Sequence, residues 1–334
     1  MNKLLLLFSL PRAAWQCSVR RAASLFLLLL TACSSTVIKD NSAVDTFINT
    51  MVTKYHFNET QLKTLLAQAD IKDDILQKIS KPAESLTWSK YRAIFIKLER
   101  INAGVQFWHE HEQTLIKVEK YYGVPAEIIV AIIGVETSYG KHTGNYRVID
   151  ALNTLAFAYP ARSEFFSAEL AQFLVLCREE KINPLNPTGS YAGAMGIPQF
   201  MPSSYRHYSV DFNKDNYRDI WQNPDDAIAS VANYFKQFHW QIGQPIAFNA
   251  IAQGESYKSL FNADLKPNAT IAQLKQFNIS IKESLPDNTA VKLLALDNEL
   301  WATLDNFYVI TRYNHSPLYA MAVFQLSREL KAAY

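Results

Sequence analysis

One acidic side chain stands out among the residues whose chemistry could serve a reaction. Glu136 follows Ile128–Val135, an apolar run that is broken only by Gly134. Residues that are apolar on every helical face are typical of a central core helix. Burial and the negative end of the helix dipole both disfavour an anion there, so we expect a raised pKa for Glu136. Such a carboxylic acid is a suitable general acid for a glycosidic oxygen, whereas the alternative is an exposed glutamate in a frayed last turn.

The helix that carries Glu136 has a start signal and a stop signal. Pro125 suits a first helical position, where no N–H is needed, and Gly140 suits a C-terminal cap. The pattern therefore predicts a buried helix between these two residues, with Glu136 in its last turn.

A second stretch, residues 183–205, has the composition of a ligand-binding wall. Glycine, proline, serine and amide residues are too dense there for an interior helix. Glycines let a ligand approach closely, and Ser190 and Gln199 offer hydrogen bonds to it. The alternative is a packed structural loop. Two helices are predicted just before this wall, at 145–155 and 162–180, joined by a turn at Tyr159 and Pro160.

The segment 211–217 has oxygen-bearing side chains at alternate positions, as in an EF-hand calcium loop. The sixth position is Asn216, which enters the left-handed region more easily than most residues, and the twelfth is Gln222. The last carboxylate would therefore come later, from Asp225 or Asp226. We expect a structural calcium ion, with a metal-free acidic turn as the alternative. The expected ligands are Asp211, Asn213, Asp215, the carbonyl of Tyr217 and Asp226.

The chain begins with the pattern of a bacterial lipoprotein signal. Basic residues precede the apolar run Leu25–Leu30, which is too short to span a bilayer and leads to small residues and Cys33. Residues 1–32 are predicted to be the signal peptide and Cys33 the lipidated residue. A plain secretory signal or a short membrane anchor is the alternative.

Composition predicts a globular chain that does not bind nucleic acid. It is 49% hydrophobic and 13% aromatic, which is enough for a sizeable core. The formal net charge is +2, but the signal holds four basic residues and no acid, so the remainder is slightly acidic. After the signal and Cys33, Cys177 is the remaining cysteine of the sequence and is expected to be a small core residue.

Four sequence motifs together resemble one enzyme family. These motifs are GVETSYG, YPARSEFF, GSYAGAMGIPQFMPSSY and TRYNHSPLY, and the likeness covers almost all of the chain after the signal. The sequence resembles the membrane-bound lytic murein transglycosylase B family. The resemblance implies a mainly α fold with a lysozyme-like catalytic core. It also implies cleavage of the β-1,4 bond between N-acetylmuramic acid and N-acetylglucosamine without water, which leaves a 1,6-anhydromuramoyl end.

The same resemblance assigns roles to single residues. Glu136 would act first as acid and then as base, with no catalytic cofactor, and the family also carries an enlarged calcium loop. Arg162 would reach the saccharide or the stem peptide, although the neighbouring position is Ala161 where relatives often have a second arginine. Tyr91 is a further expected contact from the N-terminal helices. The other expected substrate contacts are Ser190, Gln199, Tyr234, Tyr313, Asn314 and Tyr319.

Ordinary glycosidases pair two carboxylates, and the sequence shows no strong partner for Glu136. Glu127 lies at the opposite end of the same helix, and Asp150 is expected to be a cap or an exposed acid. A true muramidase that uses water is one alternative function. A non-catalytic peptidoglycan-binding lipoprotein is another, and a calcium-dependent adhesion module is a third.

The expected organisation combines these features. The predicted segments are a signal at 1–32, a tether at 33–43, an N-terminal helical domain at 44–119, a catalytic core at 120–243 with the calcium loop at 211–226, a small α+β insertion at 244–306, and a segment at 307–334 that completes the cleft. Ser327–Ala333 is predicted as a short terminal helix. We expect a monomer that is held on the outer membrane through Cys33, faces the periplasm and acts on peptidoglycan glycan strands.

Overall fold

The computed structural model describes residues 41–80 and 86–334, so the predicted signal, most of the tether and Cys33 lie outside the described residues. In these two ranges no helix is both long and apolar enough to cross a membrane. The described chain is mainly α, with a small β-containing insertion, as expected from the sequence.

Fourteen helices make up most of the described residues, and one pair of them is separated by a single residue, His111. Their bounds are α1 Asn41–Tyr55, α2 Glu59–Leu66, α3 Asp73–Ile79, α4 Trp88–Phe95, α5 Leu98–Glu110, α6 Glu112–Tyr122, α7 Ala126–Thr137, α8 Val148–Ala158, α9 Ser163–Glu179, α10 Pro202–Tyr208, α11 Pro224–Gln237, α12 Ile271–Gln276, α13 Asp305–Tyr313 and α14 Pro317–Ala333. Asn58 caps α2 by accepting the N–H of Gln61.

Helix α7 lies at the centre of the first of two large apolar clusters. It packs against α5, α6, α11 and α14, and Ile129–Ile133 are completely buried. Its uniformly apolar surface is explained by this position, because a helix that is covered on all sides has no polar face.

The second cluster is built around α8 and α9, and it includes the glycine-rich wall and α1–α3. Helices α4–α6 contribute instead to the first cluster. The N-terminal helices therefore pack on two different cores, while the domain boundaries given above stay a prediction. Cys177 is buried in α9, in the second cluster.

The insertion is a five-stranded antiparallel sheet with one short helix, α12. Its strands are β3 Ala247–Ala252, β4 Ala269–Thr270, β5 Ile279–Ile281, β6 Ala290–Leu296 and β7 Glu299–Thr303, in the order β4-β6-β7-β3-β5. Strands β6 and β7 form a hairpin, with Leu296 opposite Glu299 and the turn at Asp297 and Asn298. Short strands β1 Tyr146–Arg147 and β2 Thr188–Gly189 pair separately beside the wall.

Several helix ends differ from the sequence prediction. The predicted cap at Gly140 is wrong, because α7 ends at Thr137 and Ser138 and Tyr139 already have left-handed φ values of 51° and 63°. Within the helical domain predicted at 44–119, a break at His111 separates α5 from α6. The predicted short terminal helix is wrong as well. It is the last part of α14, whose start is capped by the hydroxyl of Ser316.

Candidate active site

Glu136 meets Tyr319 because α7 and α14 run antiparallel. Glu136 is the penultimate residue of α7, and Tyr319 lies in the first turn of α14. The Tyr319 hydroxyl donates to Glu136 Oε1 at 2.6 Å. At the opposite ends of the two helices, Lys331 Nζ bonds Glu127 Oε1 at 2.7 Å. The side chain of Tyr319 is fully buried, so the carboxyl group of Glu136 is held from the protein side.

Burial raises the pKa of Glu136 from an ordinary 4.5 to about 7, and the hydrogen bond from Tyr319 opposes part of this rise. Desolvation dominates because the helix end enters an apolar core, where an anion loses its water. Tyr319 moderates the effect because a hydroxyl donor stabilises the anion more than the acid. Near neutral pH the side chain can therefore give up a proton and take one back.

A pocket opens in front of this carboxyl group. Glu136 is the one carboxylate among the described residues that line it, which leaves no second acid for the two-carboxylate mechanisms. The lining consists of Glu136, Arg162, Phe165, Phe166, Ala192, Ala194, Gln199, Phe200, Met201, Ser204, Tyr234, Tyr313 and Asn314. Five of the eight expected substrate contacts are thus brought together here, from the turn before α9, the wall, α11, the end of α13 and the segment between α13 and α14.

Hydrogen bonds to main-chain carbonyls hold two of the pocket's aromatic rings in place. Tyr313 donates to the carbonyl of Pro198 at 2.6 Å, and Tyr234 donates to that of Arg312 at 2.5 Å. The rings of Tyr313 and Tyr319 are nearly parallel, 9° apart with centroids at 6.4 Å. Because their hydroxyls are occupied by the protein, Tyr234 and Tyr313 offer a ligand mainly ring edges and faces.

Two amide side chains supply the pocket with hydrogen-bond acceptors. The amino group of Gln199 donates to the carbonyls of Thr143 at 3.0 Å and Gly196 at 2.8 Å, so its oxygen is left for a ligand. Asn314 is buried, and its Oδ1 has no hydrogen-bond partner among the described residues. A buried acceptor without a donor costs about 1–3 kcal/mol, which a ligand N–H or O–H at this point would relieve.

Ser190 and Tyr91 do not line the pocket. Ser190 Oγ accepts the N–H groups of Ala192 at 3.2 Å and Ala194 at 3.0 Å, so it fixes a turn of the wall. Tyr91 is fully buried in α4 and interacts electrostatically with Tyr319 from behind. A direct substrate contact stays a prediction for both residues.

Arg162 lines the pocket and immediately precedes α9. Its guanidinium lies over the rings of Phe165 at 4.4 Å and Phe166 at 5.0 Å, and partial burial lowers its pKa. Stacking on two rings fixes the orientation of the charge while leaving its N–H groups free to donate. Ala161 beside it is exposed.

A strained turn behind Glu136 was not foreseen from the sequence. Tyr139 folds back so that its ring fills the space beside Gly104 of α5 and Gly134 of α7, where a methyl group would collide with it. Arg100 donates to the carbonyl of Gly134 in the same place. The sequence signal that could have indicated this contact is a glycine inside each of the two helices, because a glycine within a helix often marks the close approach of another group. The hydroxyl of Thr137 links α7 to the wall by donating to the carbonyl of Ile197 at 2.9 Å.

Asp150 is neither a helix cap nor exposed, so that expectation is wrong. It is 3% exposed and pairs with Arg147 at 2.7 Å, while it also accepts the N–H of Asp70 at 3.0 Å. These contacts tie α8 to the connection between α2 and α3, away from the pocket lining.

The acidic loop folds in the manner of a cation-binding turn. Asp211 Oδ1 and Asn213 Oδ1 both accept the N–H of Asp215, at 3.1 and 3.2 Å, and Lys214 and Asn216 have left-handed φ values. Asp226 is buried below the loop, where it accepts the N–H groups of Phe212 and Asp219.

The donor chemistry of this loop fits a hard cation such as Ca²⁺, with oxygens from Asp211, Asn213 and Asp215 on one side. In the part of the chain that the structure describes, no group of three or more His, Cys, Asp or Glu side chains is close enough to hold a metal. An ion here would therefore depend on amide and main-chain oxygens as well, and the ligand role of Asp226 stays a prediction.

Comparisons with known proteins agree with this fold and site. The family described as Transglycosylase SLT domain matches residues 39–328. A relative, membrane-bound lytic murein transglycosylase B of Escherichia coli K12, is 42% identical over 308 residues, which are 88% of this chain and 84% of the relative.

Solved structures of similar proteins superpose closely. Soluble lytic transglycosylase SltB1 of Pseudomonas aeruginosa is 48% identical with a TM-score of 0.83, over 87% of this chain and 98% of that one. Escherichia coli lytic transglycosylase Slt35, solved in complex with calcium, is 43% identical with a TM-score of 0.80, over 87% and 93%. SltB3 of Pseudomonas aeruginosa, in complex with NAG-NAM-pentapeptide, is 30% identical with a TM-score of 0.77, over 87% and 79%.

The helical lysozyme-like core and its pocket with one partly buried glutamate define a glycan-cleaving enzyme of the lytic transglycosylase class. Within that class the chain belongs to the SLT-domain transglycosylase family, and the likeness to lytic murein transglycosylase B that the sequence motifs indicate is confirmed.

Proposed function

We propose that this chain cleaves the β-1,4 bond between N-acetylmuramic acid and N-acetylglucosamine in peptidoglycan, without water, and leaves a 1,6-anhydromuramoyl end. The observation that carries the proposal is Glu136, whose pKa is raised to about 7 and which is the one carboxylate among the described residues that line the pocket. The relative's name, lytic murein transglycosylase B, supports murein as the substrate.

In the first step Glu136 is the general acid. Its proton goes to the glycosidic oxygen, the bond from that oxygen to C1 of the muramic acid breaks, and the glucosamine side leaves as an alcohol. Positive charge develops at C1 and is stabilised by the substrate's own acetamido group. The unpartnered Oδ1 of Asn314 and the free oxygen of Gln199 are suited to orient the substrate's N–H and O–H groups.

In the second step Glu136 is the base. It takes the proton of the C6 hydroxyl of the same muramic acid, and that oxygen forms a bond to C1 as the internal ether. The nucleophile belongs to the substrate, so no second carboxylate is needed. A two-carboxylate hydrolase would need a second acid beside Glu136, and none lies among the described lining residues.

Tyr319 supports both steps through its single hydrogen bond to Glu136. It fixes one oxygen of the carboxyl group, so the other oxygen serves the substrate. It also lowers the raised pKa of Glu136 towards neutrality, so that neither proton transfer is strongly uphill.

The pocket's remaining residues provide binding. Gln199, Tyr234, Tyr313 and Asn314 would contact the sugars next to the cleaved bond. Arg162 would contact the lactyl or peptide part, because its guanidinium lies among the lining residues and is oriented by the ring of Phe165. The complex of SltB3 with NAG-NAM-pentapeptide supports a substrate that carries both sugars and peptide.

The place of action follows from the leader sequence. A lipid on Cys33 would hold the enzyme on the outer membrane, with the described residues in the periplasm beside the cell wall. The name of the membrane-bound relative supports this placement. A structural calcium ion in the loop 211–226 is supported by the calcium complex of Slt35, and a monomer remains the expected state.

The proposal is tested with two matched glutamate variants and purified peptidoglycan. Glu136→Gln should lower the release of soluble fragments by about 10²-fold or more, because the general acid is lost. Glu127→Gln, at the other end of the same helix, should release fragments at nearly the wild-type rate. Equal loss in both variants would indicate a structural effect, and full activity of Glu136→Gln would refute the proposal. No release by folded wild-type protein would favour a non-catalytic binding protein.

A further inference from the structure

A second cleft lies at the far ends of the two helices that carry Glu136 and Tyr319. We name it the far cleft: it is bounded by the start of α7, the last turns of α14, the connection between α11 and β3, and the β insertion. Its volume is about 570 Å³, against about 90 Å³ for the pocket at Glu136. Glu127 of α7 and Lys331 of α14 both line it.

The far cleft is separate from the pocket. A helix rises about 1.5 Å per residue, so Glu127 is about 14 Å from Glu136 along α7. Lys331 is about 18 Å from Tyr319 along α14. Because both helices are buried between their ends, a ligand in the far cleft would not reach the reacting bond.

One buried donor in the far cleft has no acceptor. Trp240 lines the cleft and is 8% exposed, and its indole N–H finds no hydrogen-bond partner among the described residues. A buried N–H without a partner is rare, and it favours a ligand that brings an oxygen acceptor to this point.

The rim of the far cleft carries unpaired charges of both signs. Lys331 is bound to Glu127, but Lys282, Arg328 and Glu283 make no ion pair with any described residue. Two free cations against one free acid favour a ligand with a carboxylate. Glu283 can in turn accept from N–H groups of the same ligand.

These features fit a peptide better than a glycan. The sugars of a glycan strand are recognised largely by stacking on open aromatic faces, but Trp240 and Trp301 are only 8% and 4% exposed. A peptide instead offers carbonyl oxygens for the Trp240 N–H, N–H groups for Glu283, and a terminal carboxylate for Lys282 and Arg328.

We propose that the far cleft binds the stem peptide of a second peptidoglycan strand while the first strand lies at Glu136. This inference rests on the proposed function, because it takes peptidoglycan as the substrate. The enzyme would thereby hold two neighbouring strands, one for cleavage and one as an anchor.

The test is the binding of the free pentapeptide, without sugars, to the full-length chain in detergent, followed by fluorescence anisotropy. The double variant Lys282→Glu with Arg328→Glu should raise Kd at least tenfold, and Trp240→Phe should raise it severalfold. Lys117→Glu, an exposed change on α6, should leave Kd unchanged. Both rim residues are exposed, and the single variant Arg328→Ala serves if the double variant does not fold.

Three results would overturn the inference. These are a Kd in the double variant equal to that of Lys117→Glu, loss of all binding in Arg162→Ala, and displacement of the peptide by the sugar disaccharide alone. Fragment release measured on the same preparations separates the two proposals. Peptide binding that survives in Glu136→Gln while wild type releases nothing would refute the proposed function alone.

Discussion

Replacing Tyr319 by Phe tests how the protein sets the acidity of Glu136. The change removes one hydroxyl, which donates to Glu136 Oε1 at 2.6 Å. A hydrogen bond to a charged group contributes about 1.5–3 kcal/mol, and one to the neutral acid about 1 kcal/mol. The anion therefore loses about 0.5–2 kcal/mol more than the acid does. At 1.36 kcal/mol per pKa unit, the pKa of Glu136 should rise by about one unit from its value of about 7.

The sign of the pH effect follows from the role of Glu136 as an acid. Activity falls as pH rises through its pKa, because the proton needed by the glycosidic oxygen is lost. In Tyr319→Phe this alkaline decline should move upward by about one pH unit, although the rate at its maximum falls because the carboxyl group is less well oriented. The assay is the pH dependence of kcat/KM with soluble glycan fragments.

A neighbouring tyrosine provides the control. Tyr313→Phe also removes one hydroxyl from the pocket, but that hydroxyl bonds the carbonyl of Pro198 rather than Glu136. Its alkaline decline should stay in place. A downward shift in Tyr319→Phe, or equal shifts in both variants, would refute the assigned origin of the acidity.

Three further predictions concern stability. The raised pKa of Glu136 costs the folded state about 3 kcal/mol once pH exceeds about 7, and nothing below about 4.5. Glu136→Gln should therefore raise Tm above that of wild type at pH 8 but not at pH 4. An equal change in Tm at the two pH values would contradict this. Gly134→Ala should destabilise by about 2 kcal/mol despite better helix propensity, because the new methyl group would lie 2.6 Å from the Tyr139 hydroxyl. In a Tyr139→Ala background the same change should become neutral or stabilising, and unfolding in denaturant measures both. Calcium should raise the Tm of wild type but not of Asp211→Ala, and a Tm insensitive to chelation would exclude a structural ion.

The position of Glu136 could be predicted from the sequence, whereas its partner could not be derived from spacing. An apolar run on all faces indicates a buried helix, and a buried helix perturbs any acid at its end. Tyr319 lies 183 positions away and reaches Glu136 only through the packing of α14 on α7. The family resemblance indicated Tyr319 as a substrate contact and not as the partner of Glu136, and no local pattern encodes a contact of that length.

The wrong expectations have local causes. Gly140 looks like a helix cap, but Tyr139 finds space beside two glycines, and this contact ends α7 two residues earlier than a cap at Gly140 would. Asp150 looks exposed because an isolated acid usually is, but Arg147 and the main chain at Asp70 compensate its burial. Ser316 followed by Pro317 is a typical helix-start pattern, and α14 does begin at Pro317.

The mass of the products released from peptidoglycan tests the central claim most directly. Wild type should release muropeptides one water lighter than those of a hydrolase, because the C6 hydroxyl replaces water, and Glu136→Gln should release almost none. Products with a free reducing end would contradict the account, since water rather than the C6 hydroxyl would then have attacked C1.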